Sequence, residues 1–433
     1  MLDRIARLDP TLKSYATLTP ERALADAARL DAEAAAGTAR GPLHGVPIAV
    51  KDLCNTQGVP TAAGTSIHRD HVPGKDATVV VRLKQAGAVI LGKLQMTEGA
   101  YGLHHPSVEP PVNPFNAAYW TGVSSSGSGV ATAAGLCFAS LGSDTGGSIR
   151  FPSAMNGLSG LKPTWGRVSR AGVFPLAESL DHVGPMCRSA LDAALVLGVI
   201  AGADPDDPTA APLPVPDYRA ALGGGVKRKR LGVPTNLIGM DDDSQRAVAA
   251  AAATFRDAGA VMVDVALPSF DEAALSWLPL CGVEAALAHD ATFPSRRAEY
   301  GPDLAALLDL GRGLSALDLA RLQLVRARTK GEIERLLVDV DLLLMPVMGT
   351  ATPSLAAMKV AGRTPQTVAA RLRYTAPFDL SGHPTLTLPG GITADGVPVG
   401  LQIVGHAFDE AAILAAGHAF QQVGDWHLRR PPM

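Results

Sequence analysis

The sequence has no CxxC pair. Its four cysteines, Cys54, Cys137, Cys187 and Cys281, lie far apart, so neither a zinc site nor a disulfide framework is suggested and reduced thiols are expected. Neither sign of charge is in excess: 38 basic residues stand against 41 acidic ones, which provides no overall field for nucleic acid or an anionic membrane. No run of roughly eighteen apolar residues occurs, and no charged-then-apolar leader opens the chain. A soluble, cytoplasmic protein acting on a small molecule is the expectation.

Several catalytic patterns are missing too. Gly127 and Gly129 begin a GxG, but Thr132 stands where a dinucleotide fingerprint needs its third glycine, and no GK[ST] marks a phosphate loop. Ser126 takes the place of the first glycine in a would-be GxSxG elbow. The eleven histidines form no HExxH, and the adjacent His104 and His105 would point apart on any regular element, so no metal site is expected.

What remains is a globular chain of 433 residues, 47% hydrophobic and 18% charged, long enough for two domains or one large α/β domain. Strong helix formers fill residues 20–36, with Thr19 placed as a cap and Pro20 in the first turn. Residues 77–85 read as helix and 88–92 as strand, and the small apolar residues 130–138 read as a buried helix. The prolines and aspartates of 203–216 mark the one plausible internal boundary, and the basic run 227–230 reads as a solvated lead-in to a strand. Asp241 is placed as a cap, 261–265 as a strand, 316–338 as a long helix capped by Ser315, and 341–345, 384–389 and 399–404 as further strands. Strands and helices mixed throughout, without repeats, predict an α/β fold: one large mixed twisted sheet covered by helices on both faces.

Three features carry chemistry. A short apolar run, Ile48-Ala-Val, ends in Lys51; a serine-glycine loop spans 122–129; and Gly146-Gly-Ser148 follows Ser143-Asp-Thr. A lysine acts as a base only when neutral, which takes burial or neighbouring cations to lower a pKa of about 10.4. A serine nucleophile needs a base within reach, and lysine meets that need without histidine.

Several long motifs occur in order: Gly41-Pro-Leu-His-Gly-Val-Pro-Ile-Ala-Val-Lys-Asp, Ser124-Ser-Ser-Gly-Ser-Gly, Gly142-Ser-Asp-Thr-Gly-Gly-Ser-Ile-Arg-Phe-Pro, Gly157-Leu-Ser-Gly-Leu-Lys-Pro-Thr-Trp-Gly-Arg-Val-Ser, Ser179-Leu-Asp-His-Val-Gly-Pro and Gly396-Val-Pro-Val-Gly-Leu-Gln. With them the chain resembles the amidase signature family of serine hydrolases over nearly its whole length. The resemblance implies a single domain over 1–433, with a catalytic core at 41–190 and a variable pocket region at 231–375. It implies Ser148 as nucleophile, Lys51 as base and Ser124 as the serine between them, following a cis bond from Val123. The amides of Thr145, Gly146, Gly147 and Ser148 would form an oxyanion hole, with Asp144 and Arg150 as supports. Ser143 would brace either the middle serine or Lys51, and Ser125 and Ser128 are read as loop hydrogen-bonders. Val123 and Ser126 depart from the family pattern, where glycine is common.

No cofactor and no metal are implied. Met96, Tyr101, Gly122, Val123 and Phe174, with Leu103 and Trp277, are expected to line an apolar pocket for a small amide or carbamate. The family also contains components of tRNA-dependent amidotransferases and hydrolases of urea derivatives such as allophanate and biuret. The first need partner subunits and the second anchors for a small anion, neither of which the sequence displays. A stand-alone amide hydrolase, monomeric or homodimeric, is the reading preferred over these and over a non-enzymatic scaffold.

Overall fold

Eleven strands form one sheet in the computed structural model, which describes all 433 residues. In chain order they are β1 (Tyr15–Leu18), β2 (Pro47–Lys51), β3 (Val89–Leu94), β4 (Ala139–Asp144), β5 (Ser159–Lys162), β6 (His182–Cys187), β7 (Arg230–Pro234), β8 (Val261–Val265), β9 (Leu342–Pro346), β10 (Thr385–Ile392) and β11 (Pro398–Gly405). The spatial order is β1-β3-β2-β4-β6-β5-β10-β11-β9-β7-β8. β3, β2 and β4 run parallel, as do β9, β7 and β8, and every other neighbouring pair is antiparallel.

The strands nearest the middle are buried on both faces, so they read as unbroken apolar or small-residue runs instead of alternating ones. A cluster of 69 buried residues holds Ile48, Leu141, Leu231, Leu344 and Ile403 together, so strands on either side of the 203–216 connection share one core. No helix is long and apolar enough to cross a membrane.

Local chemistry explains several of the helix ends. Ser315 Oγ accepts from Asp318 N and the Asp318 carboxylate from Ser315 N, a reciprocal cap that opens helix Ala316–Val338. Asp241 accepts from Ser244 N at 2.8 Å and opens helix Asp242–Asp257. Thr19 departs from expectation: its hydroxyl donates to Leu91 O on the adjoining β3, at 3.1 Å, and leaves the helix Pro20–Ala35 without a side-chain cap. The helix expected over 130–138 is shifted, running from Ser126 to Ala133. Gly135, at φ 68°, turns the chain there in the left-handed region that glycine tolerates, and sends it back into β4.

Candidate active site

The parallel strands β2 and β4 deliver Lys51 and Asp144 to the same end of the sheet, where the carboxyl ends of parallel strands commonly hold sites. Lys51 is fully buried. Its Nζ donates to Ser124 Oγ at 2.5 Å and to Ser143 Oγ at 2.8 Å. Burial pushes its pKa down to about 7, against Cys54, Asp181 and Asp144, which favour the charged form. Of the alternatives open for Ser143, the brace to Lys51 is the one observed.

Ser124 is fully buried and follows a cis bond from Val123. Its neighbours lock the loop to β4: Ser125 Oγ donates to Ser143 O and accepts from Ser143 N, while Ser128 Oγ donates to Leu141 O. Ser126 is accommodated by His104, whose Nε2 lies 3.0 Å from its hydroxyl and which burial holds down at about 4, hence neutral. His105 points elsewhere, to Ser107. Ser148, 8% exposed, is the hydroxyl of this group that reaches the cavity, and no hydrogen bond joins its Oγ to Ser124. In ligand-free sites such bonds are often long and tighten with substrate.

The loop from Asp144 to Arg150 is held from several sides. Asp144 accepts from the amides of Gly147 (2.6 Å), Ile149 (3.0 Å) and Arg150 (3.2 Å). Thr145 O accepts from Trp277 Nε1 at 2.6 Å, Gly146 O from Thr375 Oγ1 at 2.7 Å, and Gly147 O from Phe151 N at 2.7 Å. With these carbonyls engaged, planar trans peptides turn the Gly146 and Ser148 amides away from the bonded side. One expectation is therefore corrected: the Gly147 amide is already committed to Asp144. The amides of Thr145, Gly146 and Ser148 have no protein acceptor.

A Cβ on Gly146 would stand 2.6 Å from the Trp277 indole. Gly146→Ala is expected to cost about 1–3 kcal/mol through overpacking. Denaturation by urea checks this, and an unchanged midpoint would mean that the indole gives way freely.

Asp144, Arg150 and Asp379 form a fully buried network. Arg150 donates from Nε to Asp144 Oδ2 (3.0 Å), from Nη2 to Asp144 Oδ1 (2.8 Å) and Asp379 Oδ2 (2.5 Å), and from Nη1 to Thr375 O (2.9 Å). Burial alone would raise Asp144, but Arg150 outweighs it and holds the carboxyl well below the usual range. Asp379 goes the other way, because burial and the Asp144 charge prevail over Arg150. Asp181 accepts from Thr145 Oγ1 at 2.5 Å and from the amides of Leu176 and Ala177, and burial raises it to about 6. Trp277 was expected only as pocket lining. Its bond to Thr145, and the parts played by Thr375 and Asp379, come from 132 to 229 residues away along the chain and left no local motif.

Ser148 and Gly146 face a cavity whose other walls are mostly apolar. Tyr101, Leu103, Val123 and Trp277 line it as expected. Three expected lining residues do not. Met96 is fully buried in the core, because only the backbone there passes the site, with Thr97 N donating to Ser124 O. Gly122 is pressed against Pro152 and is not part of the cavity lining. Phe174 lines a separate hollow on the Ser143 and Asp181 side and packs against the rings of His68 and His289. Two arginines that sequence reading passed over, Arg363 and Arg371, stand in the cavity wall.

The Amidase family model matches residues 1–414, and the chain belongs to that family: it is an enzyme that hydrolyses carbon–nitrogen amide bonds. It is 52% identical to the putative amidase AmiD of Mycobacterium tuberculosis, covering all of this chain and 91% of that one. It is 40% identical to a glutamyl-tRNA(Gln) amidotransferase component of Chloroflexus aggregans, over 100% and 93% of the two chains. Among solved structures, the peptide amidase from Stenotrophomonas maltophilia superposes with a TM-score of 0.85 at 33% identity, covering 100% of this chain and 93% of that one.

Proposed function

We propose that the protein is a free-standing hydrolase of small amides with apolar flanks, working through an acyl-enzyme on Ser148. The observation that carries this is Lys51: sealed from water, lowered to about 7 by burial, and bonded to Ser124 beside the cavity that holds Ser148. In this reading neutral Lys51 takes the Ser148 proton through Ser124 as the hydroxyl attacks the carbonyl carbon. The tetrahedral oxyanion is met by the unengaged amides among Thr145, Gly146 and Ser148, each worth roughly 3–4 kcal/mol in comparable sites. The relay then returns the proton to the leaving nitrogen, the C–N bond breaks, and water releases the acid by the same path. Gly147 shapes the turn instead of donating. The same machinery would accept aryl amides, carbamates and esters.

The charge state of Lys51 sets the pH dependence. Below about 7 the amine is protonated and cannot act as base, so kcat/KM for an aryl amide is expected to fall toward acid and level off above neutrality. A profile flat between pH 5 and 9 would count against Lys51 as the base.

The similarity to the amidotransferase component supports a second reading, in which the chain works within a tRNA-dependent assembly. Turnover of simple amides by the isolated chain, without tRNA, separates the two.

A further inference from the structure

One arginine in the wall of the cavity that holds Ser148 carries its charge without a counter-ion. Arg371 lies on the helix Pro365–Leu372, which also contributes Val368 and Leu372 to the wall, and Arg363 precedes that helix. Arg363 is paired with Asp303 at 3.0 Å. Arg371 has no such partner: no carboxylate pairs with it, no protein group accepts from its guanidinium, and none of its nitrogens is sealed from water. Its one organised contact is the face of Trp120, whose ring centre lies 5.7 Å from the guanidinium carbon, near the outer limit of a cation–π contact. Arg326 is comparably enclosed but spends its donors on Leu380 O, Ser179 O and Ser179 Oγ. Burial and the charge of Arg363 both disfavour the Arg371 cation, and no acid offsets them.

Five N–H donors in a fixed fork, half removed from water and lacking an acceptor, are complementary to a planar anion. The path from the serine to that fork is lined by rings. Phe151 abuts Gly147, Trp120 lies 5.9 Å from Phe151, and Arg371 stands over Trp120.

We infer that the substrate carries a carboxylate at the end remote from the scissile amide, separated from it by an apolar or aryl spacer, and that Arg371 binds this carboxylate with Arg363 beside it. This rests on Ser148 being the reacting end of the cavity. It names the substrate class: amides with one anionic terminus, not neutral amides in general.

The test is made on binding, so that it does not depend on turnover. Ser148→Ala protein is titrated by calorimetry with 4-phenylbutyrate and with 4-phenyl-1-butanol, its neutral counterpart of similar length. The carboxylate is expected to bind roughly 10- to 100-fold more tightly, as a charge-assisted bidentate pair predicts. Adding Arg371→Leu should abolish the difference, and Arg371→Lys should restore part of it, with circular dichroism confirming that each variant is folded. Equal binding of the two compounds, or no binding of either, would overturn the inference. So would a preference that survives Arg371→Leu, since the anion would then sit on the amides beside Ser148. Labelling of Ser148 by a fluorophosphonate in the unmodified enzyme is measured separately. Its absence would count against the acyl-enzyme reading, while its presence with equal ligand binding would remove only the carboxylate.

Discussion

Replacing Ser148 by alanine is expected to lower kcat by roughly 10⁴- to 10⁶-fold, the scale seen when a serine hydrolase loses its nucleophile. The fold should be indifferent to the change. Ser148 Oγ makes no hydrogen bond within the protein, so its loss leaves no buried partner unsatisfied, and a near-native unfolding midpoint is expected beside the lost activity. Intact-protein mass spectrometry after a fluorophosphonate gives a second readout. One adduct is expected on the parent enzyme and none on Ser148→Ala. Turnover by the variant within tenfold of the parent would remove Ser148 from the mechanism.

Arg150→Met should have the largest effect on stability. The substitution keeps an apolar stem but strips the ionised Asp144 of its cation in a site with no access to water. Breaking a buried pair from one side costs about 3–5 kcal/mol, because the remaining charge is left uncompensated. Urea denaturation with an unchanged slope would measure this directly. Activity should fall as well, since Asp144 holds the Gly147, Ile149 and Arg150 amides that shape the loop around Ser148. Asp379→Asn offers a contrast. Burial and Asp144 already push the Asp379 carboxyl toward its neutral form, so a neutral amide there should cost far less than the loss of Arg150. Equal costs for the two variants would show that Asp379, too, is held as an anion.

The groups proposed to react are legible in the sequence because each lies inside a short uninterrupted run. Lys51 ends an apolar strand, Ser124 opens a serine-glycine loop, and Ser148 follows two glycines. Long capped helices were legible for a similar reason, since Ser315 and Asp318 satisfy each other within one turn. β4 and β6 were not recognised. Their runs, Ala-Ser-Leu-Gly-Ser-Asp and His-Val-Gly-Pro-Met-Cys, have weak strand propensity, and they extend because neighbours on both sides supply the ladder. The supports of the site were illegible on other grounds. Nothing near Thr145 foretells that its carbonyl meets an indole from position 277, or that a carboxyl from 379 meets Arg150, since only the closed sheet brings them together. The pocket expectation failed where proximity in sequence was taken for orientation. Met96 and Gly122 lie beside the site along the chain, yet one faces the core and the other packs against Pro152.

The cavity wall is assembled from several distant stretches of chain, two of which contribute most of it. Val123, Gly146, Ser148 and Phe151 come from the segment that also holds Ser124, whereas Met358, Arg363, Val368, Arg371 and Leu372 come from a later one. Such a layout separates what can vary from what cannot. Substitutions between 358 and 372 can redraw which molecules are admitted while leaving the segments that carry Lys51, Ser124 and Ser148 unaltered, so a library confined to those positions should yield enzymes of altered taste and preserved vigour.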